Sequence, residues 1–164
     1  MQYSAPIVSA IAFVLIGSAA AAAQPAAKQP EKANGAAKIA GLLDGSGRPY
    51  SKVTDGVWEI DFAGDNLKKF PVRLALADDL LVVIAKLADR KDLNLDPALL
   101  TKLLENNHHM DSVKMALSED MLYVRMDARV RTLDPAELKY VLDQVSAATD
   151  EAYPQIKPYL TGAK

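Results

Sequence analysis

Apolar and polar residues alternate along much of the chain, and the changes of period mark its elements. From Val57 to Ala63, Trp58, Ile60 and Phe62 alternate with Glu59 and Asp61, which predicts a half-buried strand. Tyr50 to Thr54 reads as the strand before it, joined through the tight-turn dipeptide Asp55-Gly56. After a turn at Gly64-Asp65-Asn66, Phe70 to Leu76 is a third strand with Val72, Leu74 and Leu76 on one face. The stretch Leu80 to Leu87, LLVVIAKL, has the β-branched residues of a strand but suits a buried helix equally.

Between and around these strands the period lengthens to that of a helix. Ile39, Leu42 and Leu43 predict a short helix that Gly45 and Gly47 end. Asp96-Pro97 places an N-cap and a first-turn proline ahead of a helix whose apolar face is Leu99, Leu100, Leu103 and Leu104, and Asn106-Asn107 ends it. Two alternating runs follow, Val113, Met115 and Leu117, then Leu122, Val124, Met126, Ala128 and Val130, with a turn at Ser118-Glu119-Asp120. Asp134-Pro135-Ala136-Glu137 repeats the helix start, with Glu137 in the capping-box position. Leu138, Val141, Leu142 and Val145 form that helix's buried stripe, which runs to about Ala152 before Pro154 and Pro158 kink or end it.

Strands joined by short turns pair antiparallel, so this order predicts an α+β two-layer sandwich: a mostly antiparallel sheet of about five strands packed with helices. On that sheet Lys114, Arg125, Arg129 and Arg131 project away from the core by strand alternation, together with Tyr123 and Asp127. Such a face suits an acidic peptide or an anionic surface, held through bidentate arginine contacts. The competing reading, which ordinary surface charge favours, is a solvated sheet face. Met115 and Met126 fall in the core register, whereas Met110 and Met121 are expected at the surface, where methionines adapt to varied partners.

The N-terminus adds a different kind of segment. Ile7 to Gly17, IVSAIAFVLIG, is an apolar run of signal-sequence length within an uncharged stretch from Met1 to Ala23. Ala21 and Ala23 precede Gln24 in the small-x-small arrangement that signal peptidase accepts, so cleavage after Ala23 is expected. The competing expectation is an uncleaved anchor, because Pro6 to Ala23 barely reaches spanning length. Residues 24–36, QPAAKQPEKANGA, read as a flexible linker, and the folded domain is expected over 37–164. With cleavage the chain is expected in the periplasm or beyond it, without a membrane span.

Composition narrows the chemistry. The 164 residues carry a net charge of -2, without the basic excess of nucleic-acid binders. There is no cysteine, which removes disulfides and thiolate chemistry. His108-His109 are the two histidines, and a metal site needs three or four convergent ligands, so a solvated helix-to-strand turn is expected there and no metal. The acid pairs Asp61/Asp65 and Asp78/Asp79 are explained by turn chemistry. No nucleophile-elbow, P-loop or dinucleotide fingerprint is present, which points to a non-enzymatic chain without a cofactor.

From LLTKLLENNHH (Leu99 to His109) through VKMALSED and MLYVRMDARVRTLDPAEL (Val113 to Leu138) to Asp150 near the end of the last helix, the second half resembles the YbjN-like domain, a bacterial family with the fold of type III secretion chaperones. The resemblance implies a binding module that forms homodimers and holds an extended segment of a protein or peptide partner on a sheet or groove. Together with the leader it gives an exported, chaperone-like or adaptor domain, with Lys114, Tyr123, Arg125, Arg129 and Arg131 as partner-binding candidates. The alternative is an envelope sensor or regulatory accessory that binds a small ligand or a membrane-complex subunit.

Overall fold

The computed structural model describes residues 29–161. The leader, with the cleavage residues Ala21, Ala23 and Gln24, lies outside them. Six strands form one antiparallel sheet: β1 (Ser51–Thr54), β2 (Val57–Phe62), β3 (Phe70–Ala77), β4 (Leu80–Asp89), β5 (Lys114–Leu117) and β6 (Met121–Arg129). The helices are α1 (Gln29–Gly45), α2 (Pro97–His109) and α3 (Pro135–Ile156). In space the strands run β1-β2-β3-β4-β6-β5.

The first four strands form a meander because each turn is short. Gly56 takes φ 74° between Thr54 and Val57, a left-handed conformation that glycine adopts without a Cβ clash. The stretch with two equally good assignments, Leu80 to Leu87, is a strand and extends to Asp89, so the sheet has six strands. Its period-two burial follows from its place at the centre, paired on one side to β3 and on the other to β6. The chain then leaves the sheet for α2 and returns as the β5–β6 hairpin. The long strand β6 takes the inner place beside β4, and the four-residue β5 takes the edge.

The inward side chains of the sheet, such as Trp58, Val72, Leu74, Val83 and Val124, meet Ile39 and Leu43 of α1 and the stripe of Leu138, Val141, Leu142 and Val145 on α3. Both expected caps form: Asp96 accepts from the Leu99 N–H at 2.9 Å and Asp134 from the Glu137 N–H at 2.8 Å.

Several sequence expectations about the helices change. α1 begins at Gln29, inside the segment read as a linker, and Gly35 lies within it, where an added Cβ would stand 3.2 Å from Leu76. α2 runs past Asn106-Asn107 to His109, because both asparagines find tertiary partners on β5. Of the four leucines expected to be buried on α2, Leu99 and Leu103 are, together with Asn106, whereas Leu100 and Leu104 are 45% and 72% exposed. α3 continues through Pro154 to Ile156.

The last change has a local cause. Pro154 has no N–H to donate to the Asp150 carbonyl four residues earlier, so that carbonyl is free within the helix. The Asn66 side-chain amide donates to it at 3.1 Å. Meanwhile the Asp150 carboxylate accepts from the backbone N–H groups of Asp65 (3.0 Å), Asn66 (3.0 Å) and Leu67 (2.7 Å). The turn between β2 and β3 thus closes around one residue of α3. Gly64 makes room for it, since a Cβ at that position would come within 2.2 Å of the Asp150 carboxyl carbon.

Candidate functional site

The helices α1 and α3 cover one side of the sheet, and the outward side chains of the strands form the other. Cross-strand register fixes their arrangement. In one row Glu59, Arg73, Ile84, Arg125 and Lys114 lie side by side across β2, β3, β4, β6 and β5. The neighbouring row holds Val57, Ala75, Val82 and Asp127, and on the far side Lys86 stands opposite Tyr123 and Tyr123 opposite Ala116. Val57, Ala75, Val82 and Ile84 are half-buried, so the face has an apolar floor set among charged side chains. A shallow depression of about 300 Å³ lies over Ile84, walled by Glu59, Arg73, Lys86, Asp89 and Met121 among others.

The cations of this face have partners, most of them within it. Arg125 forms a bidentate pair with Asp127 two residues along the strand, Nε to Oδ1 at 2.8 Å and Nη2 to Oδ2 at 2.9 Å. That hydrogen bonding, with the opposing pull of desolvation and a smaller contribution from Tyr123, raises the Arg125 pKa above its ordinary value. Arg73 pairs with Glu59 at 2.9 Å, Lys86 with Asp89 at 3.2 Å, and Arg129 with Asp79 at 3.4 Å. Lys114 donates to the Met110 carbonyl at 2.7 Å. These pairs are solvent-accessible, and such pairs contribute on the order of 1 kcal/mol or less each. The face is therefore nearly balanced in charge, and the two-pronged edge of the Arg125 guanidinium, expected to grip a partner carboxylate, holds Asp127.

Of the five candidate residues, the sheet brings four together: Lys114, Tyr123, Arg125 and Arg129 share the open face. Arg131 does not join them. Strand β6 ends at Arg129, and Arg131 lies in the following turn, where its carbonyl and that of Val130 accept from Lys38 Nζ of α1 at 3.1 and 2.7 Å. Strand alternation does not govern Arg131, because pairing of β6 stops two residues before it.

His108 and His109 are in the last turn of α2 rather than in a turn beyond it, both exposed, with ring centroids 5.2 Å apart. Among the described residues no three metal-ligating side chains converge. Met115 and Met126 are buried as expected, and Met110 and Met121 are half-buried. Among the described helices none is long and apolar enough to cross a membrane. The acid pairs divide differently from one another: Asp78 and Asp79 form the β3–β4 turn, with Asp78 at φ 53°, while Asp61 pairs with Lys69 at 2.9 Å.

No family model matches the chain, and no curated protein does. Solved structures do match. A chain of the ExoU–SpcU heterodimer of the Pseudomonas aeruginosa type III secretion system superposes with a TM-score of 0.54 at 17% identity, over 73% of this chain and 98% of that one. A chain of the HopA1–SchA chaperone–effector complex gives 0.53 at 17% identity, over 71% and 94%. YbjN from E. coli gives 0.53 at 15% identity, over 74% and 92%. At this identity the likeness establishes architecture, and it agrees with the element order implied by the sequence resemblance. The chain has the α+β fold shared by YbjN and the type III secretion chaperones.

Proposed function

We propose that this chain is an exported, non-enzymatic protein-binding domain that holds an extended segment of a partner on the open face of its sheet. One observation carries the proposal: a six-stranded sheet packed with helices on one side leaves an apolar floor, centred on Val82 and Ile84, among aligned charged side chains on the other. Two structures of the same fold, one described as a chaperone–effector complex and one as a heterodimeric complex of a type III secretion system, support a protein as the partner. The leader, with its apolar run and Ala21-x-Ala23 ending, supports export to the periplasm or beyond.

The paired charges suit recognition by exchange. A partner carboxylate that approaches Arg125 replaces a contact with Asp127 instead of meeting a bare cation, so charge here sets register and selectivity more than affinity. Capture from envelope extract by the chain beginning at Gln24, after crosslinking, tests the proposal. Replacing Arg125 and Arg129 together by glutamate is expected to weaken capture about tenfold. Unchanged capture by a folded double variant would remove this face from the interaction.

The same reading includes a homodimer, and α2 supplies its surface. Leu100 and Leu104 lie one turn apart on the exposed side of the helix, where their burial against a second copy would release water from both. Leu104→Glu is expected to shift the chain to monomer in analytical ultracentrifugation with its melting temperature nearly unchanged. A variant that sediments like the parent would place the contact elsewhere or leave the chain monomeric throughout.

A further inference from the structure

The two edges of the sheet are protected in different ways. An edge strand exposes a row of N–H and C=O groups that can pair with another chain. At β1 the protection is irregularity and charge: the register shifts between Lys52 and Thr54, and Lys52 pairs with Asp55 at 2.6 Å. At β5 the outward pairing groups of Met115 are occupied. The Met115 N–H, which points away from β6, donates to Asn107 Oδ1 at 2.7 Å, and the Met115 carbonyl accepts from Asn107 Nδ2 at 3.0 Å.

One side-chain amide thus makes both hydrogen bonds that a neighbouring strand would make at this residue. A carboxamide is the side chain that presents an N–H donor and a C=O acceptor in the same relation as a peptide group. Further contacts hold it there. Lys114 Nζ reaches the Met110 carbonyl at 2.7 Å, and the buried Asn106 side chain approaches the Met115 sulfur at 3.7 Å. The rest of α2 is lightly anchored, with Leu99 and Leu103 its buried apolar residues.

We propose that Asn107 is an edge guard: it stands in for a strand at Met115, pins the last turn of α2 over β5, and keeps this edge from pairing with the β5 of a second copy. A second copy is the partner in question because an edge strand can pair with itself antiparallel about a two-fold axis, with no complementary surface needed elsewhere. Without the amide, the last turn of α2 frays from Met115 and the edge opens. The guard also directs any strand-like partner away from β5, which goes beyond the open-face proposal and does not depend on it.

The test uses the full described domain in a Leu104→Glu background, so that association through α2 does not enter. In dilute protein, where copies stay apart, Asn107→Ala is expected to speed amide exchange at Met115 by roughly tenfold or more, the loss of about one to two net hydrogen bonds. The cysteine-free chain allows a second readout. With Lys114→Cys added, interchain disulfides are expected in the Asn107→Ala protein and not in the Asn107 parent. Asn107→Asp keeps an acceptor for the Met115 N–H but no donor for its carbonyl, so it is expected to fall between the two; if Asn107→Ala does not fold, this variant carries the test. Met115 exchange as slow as in the parent would overturn the proposal. So would fast exchange in a protein that neither crosslinks nor associates at high concentration.

Discussion

Gly64→Ala is expected to destabilise the chain by about 2–4 kcal/mol, the range of a lost hydrogen-bonded network with accompanying strain. The new methyl group would overlap the Asp150 carboxyl, with Cγ at 2.2 Å and both oxygens within 2.7 Å. A flexible side chain could move aside at little cost, but this one is held by three backbone N–H groups and the Asn66 amide. Moving it leaves those donors without their anion and separates the β2–β3 turn from α3. Thermal melts would show the effect as a fall of roughly 3–4 °C per kcal/mol for a domain of this size. An alanine variant that melts with the parent would mean that the turn rearranges freely.

The same contact gives the chain an acid limit. Desolvation alone would raise the pKa of Asp150, but hydrogen bonds from Leu67, Asn66 and Asp65 outweigh it and hold the carboxyl below its ordinary value. A carboxyl lowered in the folded state contributes stability above its unfolded pKa of about 3.9 and loses it as pH falls through the folded value. Stability measured from pH 6 down to pH 3 should therefore decline less steeply in Asp150→Asn than in the parent. Parallel curves would show that other carboxyls set the acid limit.

Trp58→Ala is expected to cost about 3–5 kcal/mol, as large aromatic truncations in cores do. Trp58 is 2% exposed and is the chain's single tryptophan, on β2 opposite Leu74 of β3 and Lys52 of β1. Its loss removes core volume beside the thinnest part of the sheet, where β1 has only four residues and all are exposed. The β1–β2 hairpin should lose amide protection before the β4–β6 centre does. Circular dichroism and hydrogen exchange measure this without the missing fluorophore. A loss below about 1 kcal/mol would mean that neighbouring side chains collapse into the space.

Where signals were local, sequence and structure agree. Alternation placed the strands β2, β3, β5 and β6, because a strand with one wet face shows its burial in every second residue. Asp96 and Asp134 announced α2 and α3, because a cap is made within three residues of itself. The open-face residues Lys114, Tyr123, Arg125 and Arg129 were legible for the same reason as the strands. What alternation could not show was that Arg125 already has a partner in Asp127, since which neighbour a long side chain reaches depends on rotamer as well as register.

Where signals were long-range, sequence alone misled or was silent. Asn106 and Asn107 look like a helix end because asparagine competes with the backbone for hydrogen bonds, yet here their side chains are taken by Met115 and the helix continues. Leu100 and Leu104 fit a helical apolar stripe as well as Leu99 and Leu103 do, and only the direction from which β5 approaches α2 decides which pair is buried. The Asp150 clamp spans more than eighty positions, from Asp65 to Asp150. Its one sequence trace is Pro154, which frees a carbonyl four residues earlier.

The sequence by itself determined the two-layer α+β class, the antiparallel pairing, both capped helices and the inward and outward residues of most strands, because each follows from period, turn length or a contact within a few residues. Tertiary structure alone decided that β6 lies between β4 and β5, that LLVVIAKL is a strand, that α1 begins at Gln29, and that Arg131 leaves the candidate face. Those outcomes depend on which surfaces are left to bury once the sheet has formed, and that competition is settled between elements far apart in the chain.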